Sequence, residues 1–122
     1  MTIGRLFIVD WDKESARARA EALRATGWTV DIESEDGARA YRRIREQQPD
    51  VVLVDLSVRP SHGLETIKSL AKTKATLSPA LVIVGVTDAI RDKVAAVAPQ
   101  FVFANASDLA AKLSKVLPNR PK

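Results

Sequence analysis

The sequence has no cysteine and one histidine, His62, among its 122 residues. The first absence excludes disulfide frameworks, thiolate metal sites and cysteine nucleophiles. The second excludes any centre built on two imidazoles, and zinc chemistry goes with it. Long hydrophobic runs are missing too. The longest, Ala80–Val86, falls far short of the ~20 residues that span a bilayer. The apolar stretch Leu6–Val9 runs straight into Asp10, whereas a secretory signal needs a longer core and a small-residue cleavage site. A cytoplasmic protein without membrane contact is the expectation. Neither G-x-x-x-x-G-K-S/T nor G-x-G-x-x-G occurs, so a nucleotide-binding loop has no support. Without a G-x-S-x-G elbow, and with nothing to orient the imidazole, His62 beside Ser61 and Ser57 reads as a solvated loop histidine rather than a base. The excess of 19 Lys and Arg over 15 Asp and Glu gives a net charge of +4. That is too little for an obligate nucleic-acid packager.

What is present is an ordinary globular balance, 46% hydrophobic and 28% charged, at a length that suits one compact domain. Short apolar runs recur at Leu6–Val9, Val51–Val54, Leu81–Val86 and Phe101–Phe103, the pattern of strands buried on both faces. In Trp28–Glu33, Trp28, Val30 and Ile32 alternate with Thr29, Asp31 and Glu33, which predicts a half-exposed strand near a sheet edge.

Helical spacing falls between these runs, over Lys13–Ala25, Ala38–Gln47, Leu64–Lys74, Asp88–Ala98 and Asp108–Leu117. Asp12 stands where an N-cap belongs and Gly27 where a C′ glycine belongs. Pro49 and Pro99 follow helical stretches, as helix-ending prolines do. The βαβαβαβαβα order predicts a doubly wound parallel sheet with helices on both faces. Residues 1–117 form the expected domain and 118–122 a frayed tail.

In such sheets function collects at the carboxyl ends of the strands. Asp10 closes the first strand and Asp55 the third. Two adjacent carboxylates there repel each other unless a cation, a proton or solvent intervenes. Mg²⁺ accepts one or two carboxylates plus water, and a carboxylate can itself attack phosphorus. Each Asp can also simply end a strand and open a turn.

The order Phe7-Ile8-Val9-Asp10, Gly27-Trp28-Thr29-Val30, Asp36-Gly37, Pro49-Asp50-Val51-Val52-Leu53-Val54-Asp55 and Gly63-Leu64-Glu65 resembles the CheY-like receiver domains of bacterial response regulators, from Leu6 to Leu117. The resemblance implies a flavodoxin-like (βα)5 fold with strand order 2-1-3-4-5. It makes Asp55 the phosphoacceptor. It implies a Mg²⁺ site drawn from Asp10, Asp55 and the backbone carbonyl of Ser57, with Asp12 as a weaker candidate beside its role as helix cap. The resemblance further implies a signalling module rather than an enzyme, and the expectation is that it acts without an attached output domain. Its partner would be a sensor histidine kinase or a downstream effector. Asp88–Leu117 would be the docking face, and a homodimer would use the same face.

Several positions depart from the family pattern. Trp11 replaces its second acid, and Ala104-Asn105 stand where it has Lys-Pro. Arg59 precedes Pro60, His62 replaces an acid, and Gly85 stands where the spacing places the switch hydroxyl. Thr87 and Phe101 are the remaining switch candidates, with helix capping and core packing as their alternative roles. Phosphoryl transfer depends on neutralising negative charge. A pocket short of positive charge, with the Trp11 ring over it, therefore predicts a degenerate receiver with impaired phosphorylation of Asp55. A working Mg²⁺-dependent phosphoacceptor is one alternative. A nucleic-acid or anion-binding module is another, drawn from the arginines of the first two helices (Arg17, Arg19, Arg24, Arg39, Arg42, Arg43 and Arg45). Acidic neighbours make those arginines read as a solvated charged face.

Overall fold

The computed structural model describes residues 3–72, 80–98, 101–105 and 107–116. The expected helix end at Lys74, Pro99, Leu117 and the tail 118–122 lie outside them. The elements are β1 (Arg5–Asp10), α1 (Lys13–Ala25), β2 (Thr29–Glu33), α2 (Gly37–Gln47), β3 (Val51–Asp55), α3 (Pro60–Lys72), β4 (Ala80–Val84), α4 (Asp88–Val97), β5 (Val102–Phe103) and α5 (Leu109–Val116). All neighbouring strands pair in parallel, in the order β2-β1-β3-β4-β5. The expected fold and strand order are both found.

Strand alternation divides the core in two. Phe7, Val9, Val52, Val54 and Ile83 face one layer with Ile44, Ile67, Leu70 and Val94 of α2, α3 and α4. Leu6, Ile8, Leu53, Val82 and Val84 face the other with Ala16, Ala20 and Leu23 of α1 and Leu109 and Leu113 of α5. This two-sided burial is why the central strands read as continuous apolar runs.

The helix ends follow local chemistry. The Asp12 carboxylate accepts the Glu14 and Ser15 N–H groups and starts α1. At its other end the Gly27 N–H reaches the Arg24 carbonyl and the Trp28 N–H reaches that of Leu23. Gly27 sits at φ +111°, a conformation that glycine adopts without a steric penalty. α3 begins earlier than its apolar spacing predicts because Pro60 opens it, where a missing N–H costs nothing. His62 accordingly stands in the first turn of α3, exposed, and not in a loop.

Glu33 also departs from expectation. It is buried at the end of β2 rather than turned to solvent. Arg39 binds it through Nε at 2.7 Å and Nη2 at 2.8 Å, Arg43 adds Nη1 at 3.3 Å, and the Glu35 and Asp36 N–H groups complete it. The strand alternation that would expose the side chain is overridden by two arginine forks from α2.

Candidate functional site

Register pairs Asp10 of β1 directly with Asp55 of β3, and neighbouring strands lie roughly 4.8 Å apart. Both carboxylates are buried, 1% and 5% exposed, so their repulsion is poorly screened. The charge between them comes from α1. Arg19 Nη1 lies 2.9 Å from Asp55 Oδ2 and 3.9 Å from Asp10 Oδ2. The pocket therefore holds a positive charge despite the missing lysine at Ala104. A half-buried guanidinium supplies it from an unexpected element.

The sequence carries a partial signal of Arg19. Ala16, Arg19, Ala20 and Leu23 occupy i, i+3, i+4 and i+7 of α1, one helical stripe, and the three apolar members are buried. An arginine inside an apolar stripe has to carry its head to an acid or to water.

The two carboxylates are treated differently. Asp55 Oδ1 accepts the Ser57 N–H at 2.8 Å, while Oδ2 is held by Arg19. Burial pushes the Asp55 carboxyl up, but the Ser57 hydroxyl, Arg19 and the Ser57 N–H outweigh it and hold it below its ordinary value. For Asp10, burial pushes the carboxyl up and the Asp55 charge adds to the rise. The Asp12 N–H, the Ser15 hydroxyl and Arg19 oppose it without cancelling it. Asp10 Oδ1 accepts the Asp12 N–H at 2.9 Å, but the buried Oδ2 has no hydrogen-bond partner.

Gly85, after β4, presses on the same carboxylate. A Cβ there would stand 2.6 Å from Asp55 Oδ1 and 2.8 Å from the Ser57 nitrogen. Gly85 also sits at φ +71°. Any side chain at this position would meet the Asp55–Ser57 unit, and the hydroxyl found beside Asp55 is that of Ser57. Thr87 caps α4 by accepting the Ile90 N–H. Phe101 is half-buried and packs against the same core cluster as Ile90 and Val97 of α4.

Trp11 does not cover the acidic pocket. Its ring meets His62 edge-on at 5.7 Å and lies 3.7 Å from where a Cβ on Gly37 would stand. It walls a cleft of about 500 Å³ with Gly37, Tyr41, His62 and Thr66, between α2 and α3.

A divalent ion does not fit this arrangement. Asp12 is committed to its helix, the Trp11 side chain offers no oxygen, and Nη1 of Arg19 lies 2.9 Å from one Oδ2 and 3.9 Å from the other. Among the described residues no three His, Cys, Asp or Glu side chains are gathered to hold a metal. None of the described helices is long and apolar enough to cross a membrane.

Residues 6–113 match the family model for the response regulator receiver domain. The response regulator MprA of Mycobacterium ulcerans is 30% identical over 91 residues, 75% of this chain and 38% of that protein. The chain thus spans well under half the length of the curated relatives it matches. Among solved structures, response regulator TrrA of Thermotoga maritima, in complex with Mg²⁺–BeF, superposes with a TM-score of 0.76 at 21% identity, over 96% of this chain and all of that one. Chemotaxis protein CheY4 of Vibrio cholerae also gives 0.76, at 18% identity, over 95% of this chain and all of that one.

Proposed function

The chain belongs to the response regulator receiver family of two-component signalling, and from that premise we propose that it signals by docking a protein partner while phosphorylation of Asp55 is impaired. The observation that carries this reading is the ligation of Asp55. Arg19 holds Oδ2 at 2.9 Å and the Ser57 N–H holds Oδ1 at 2.8 Å. Either oxygen would attack phosphorus while already accepting such a charge-assisted bond, each worth ~1.5–3 kcal/mol, and is the weaker nucleophile for it. That stabilisation belongs to the ground state and adds to the barrier. Gly85 then offers no hydroxyl to sense a new phosphoryl oxygen.

The docking face in this reading is α4–β5–α5, within Asp88–Leu117. Ile90, Val97, Val102, Phe103 and Val116 are all half-buried there, and the Arg91 guanidinium stacks over Phe103 at 4.9 Å. Half-covered apolar side chains beside a stacked arginine suit the anchor pattern of protein interfaces. A sensor kinase, an effector or a second copy of the chain would meet the same surface. The basic face of α1 and α2 lends less support to a nucleic-acid partner, because Lys13, Arg39 and Arg43 pair with Glu33, Glu35 and Asp31.

The test is intact-mass spectrometry after incubation with Mg²⁺ and a small phosphodonor. The expected result is almost no phosphoprotein in the wild-type chain. Stoichiometric phosphate that Asp55→Asn abolishes overturns the reading.

A further inference from the structure

We propose that Arg19 is the resident cation of the Asp10–Asp55 pair and takes the place of a divalent metal there. The inference deepens the reading above and concerns the same pocket, but its test is separate. Three observations carry it.

The first is position. A single nitrogen, Arg19 Nη1, faces both Oδ2 atoms, at 2.9 Å and 3.9 Å. An ion held at about 2.1 Å by Asp55 Oδ2 would face the positive charge of a nitrogen 2.9 Å from the same oxygen. The two cations compete for the same carboxylates.

The second is the fate of the other donors. The Asp12 carboxylate is spent on the Glu14 and Ser15 N–H groups, and Trp11 turns to His62. Mg²⁺ needs near-octahedral oxygen, and the side chains that would enlarge the set face elsewhere. A guanidinium brings its own planar donors and makes no such demand.

The third is anchorage. Arg19 lies in the stripe of α1 whose members Ala16, Ala20 and Leu23 pack on the sheet. Its helix is fixed on the core by those neighbours and its head reaches the carboxyl edge. The charge match is partial: one positive group serves two acids, and Asp10 Oδ2 stays without a hydrogen bond. A unipositive substitute in a place suited to a dipositive ion leaves such a remainder.

The experiment is thermal unfolding of the full chain with and without MgCl₂ or MnCl₂, for wild type, Arg19→Lys, Arg19→Gln and Arg19→Ala. Wild type and Arg19→Lys are expected to keep the same Tm with and without metal. Arg19→Gln, which keeps a long side chain without the charge, is expected to gain a saturable metal-dependent rise of several degrees. Its affinity should exceed that of wild type by about tenfold or more, and Asp55→Asn in the same background should remove the effect. Should Arg19→Ala fail to fold, Arg19→Gln carries the comparison. Mn²⁺ broadening of Asp10 and Asp55 resonances in the wild-type chain needs no variant. Broadening there, or an Arg19→Gln chain as indifferent to metal as wild type, overturns the proposal. A wild-type chain that ignores Mg²⁺ yet accepts phosphate at Asp55 sinks the reading of impaired phosphorylation and leaves this one standing. A chain that binds Mg²⁺ and refuses phosphate does the reverse.

Discussion

Two buried acidic sites lie along the carboxyl edge of the sheet, and they are finished to different degrees. At the end of β2 a single carboxylate, Glu33, receives two arginines and two backbone N–H groups. Its carboxyl is held down to about 2, first by the Arg39 hydrogen bonds against the cost of burial. At the ends of β1 and β3 two carboxylates share one arginine, and one oxygen is left unpaired. The first arrangement is a closed structural pair. The second keeps residual negative charge in a buried place, and buried charge without full compensation marks functional ground more often than structural ground.

The strongest way to probe the contrast is to crowd the Asp55 end. Gly85→Ala places a Cβ against Asp55 and Ser57 at a positive φ, and should cost ~3 kcal/mol or more in urea unfolding. A neutral result would mean that the Asp55–Ser57 unit is loose.

Opening the closed pair comes next. Glu33→Ala strands Arg39 and Arg43 and should cost about 2 kcal/mol. The sign of its pH dependence is fixed by the lowered carboxyl. Glu33 contributes fully above its ordinary value of 4.5, and that contribution disappears as pH falls toward about 2. Glu33→Gln should therefore flatten the acid limb of the stability curve. An unchanged limb would remove Glu33 from the account.

The smallest effect has the opposite sign. Asp10→Asn deletes the uncompensated charge while its amide oxygen can still accept the Asp12 N–H, and should stabilise the chain by ~1 kcal/mol at neutral pH. The Asp10 carboxyl lies above 3.8 in the fold. Protonating it on acidification therefore favours folding, and Asp10→Asn should lose that gain. If Asp10→Asn destabilises as Glu33→Ala does, the two sites are not different in kind.

The sequence made the architecture plain because every buried strand is a two-sided apolar run and each helix carries its own punctuation. Asp10 and Asp55 were legible as neighbours for the same reason: both close such runs. Asp12 and Thr87 were legible as caps from position alone. The partners of the acids were not. Arg19 and Arg39 are long side chains whose heads act several ångströms from their backbones, and helical spacing reports only where the stem begins. The Trp11 ring was misplaced for a related reason, since β1 fixes where its Cα stands but not toward which helix the indole turns.

Because the guanidinium beside Asp55 is carried on α1, it is present at a fixed local concentration whenever the chain is folded. No chelator can extract it and no change in cellular magnesium can dilute it. Emptying this pocket means turning the Arg19 side chain toward solvent, so occupancy here is settled within the chain itself.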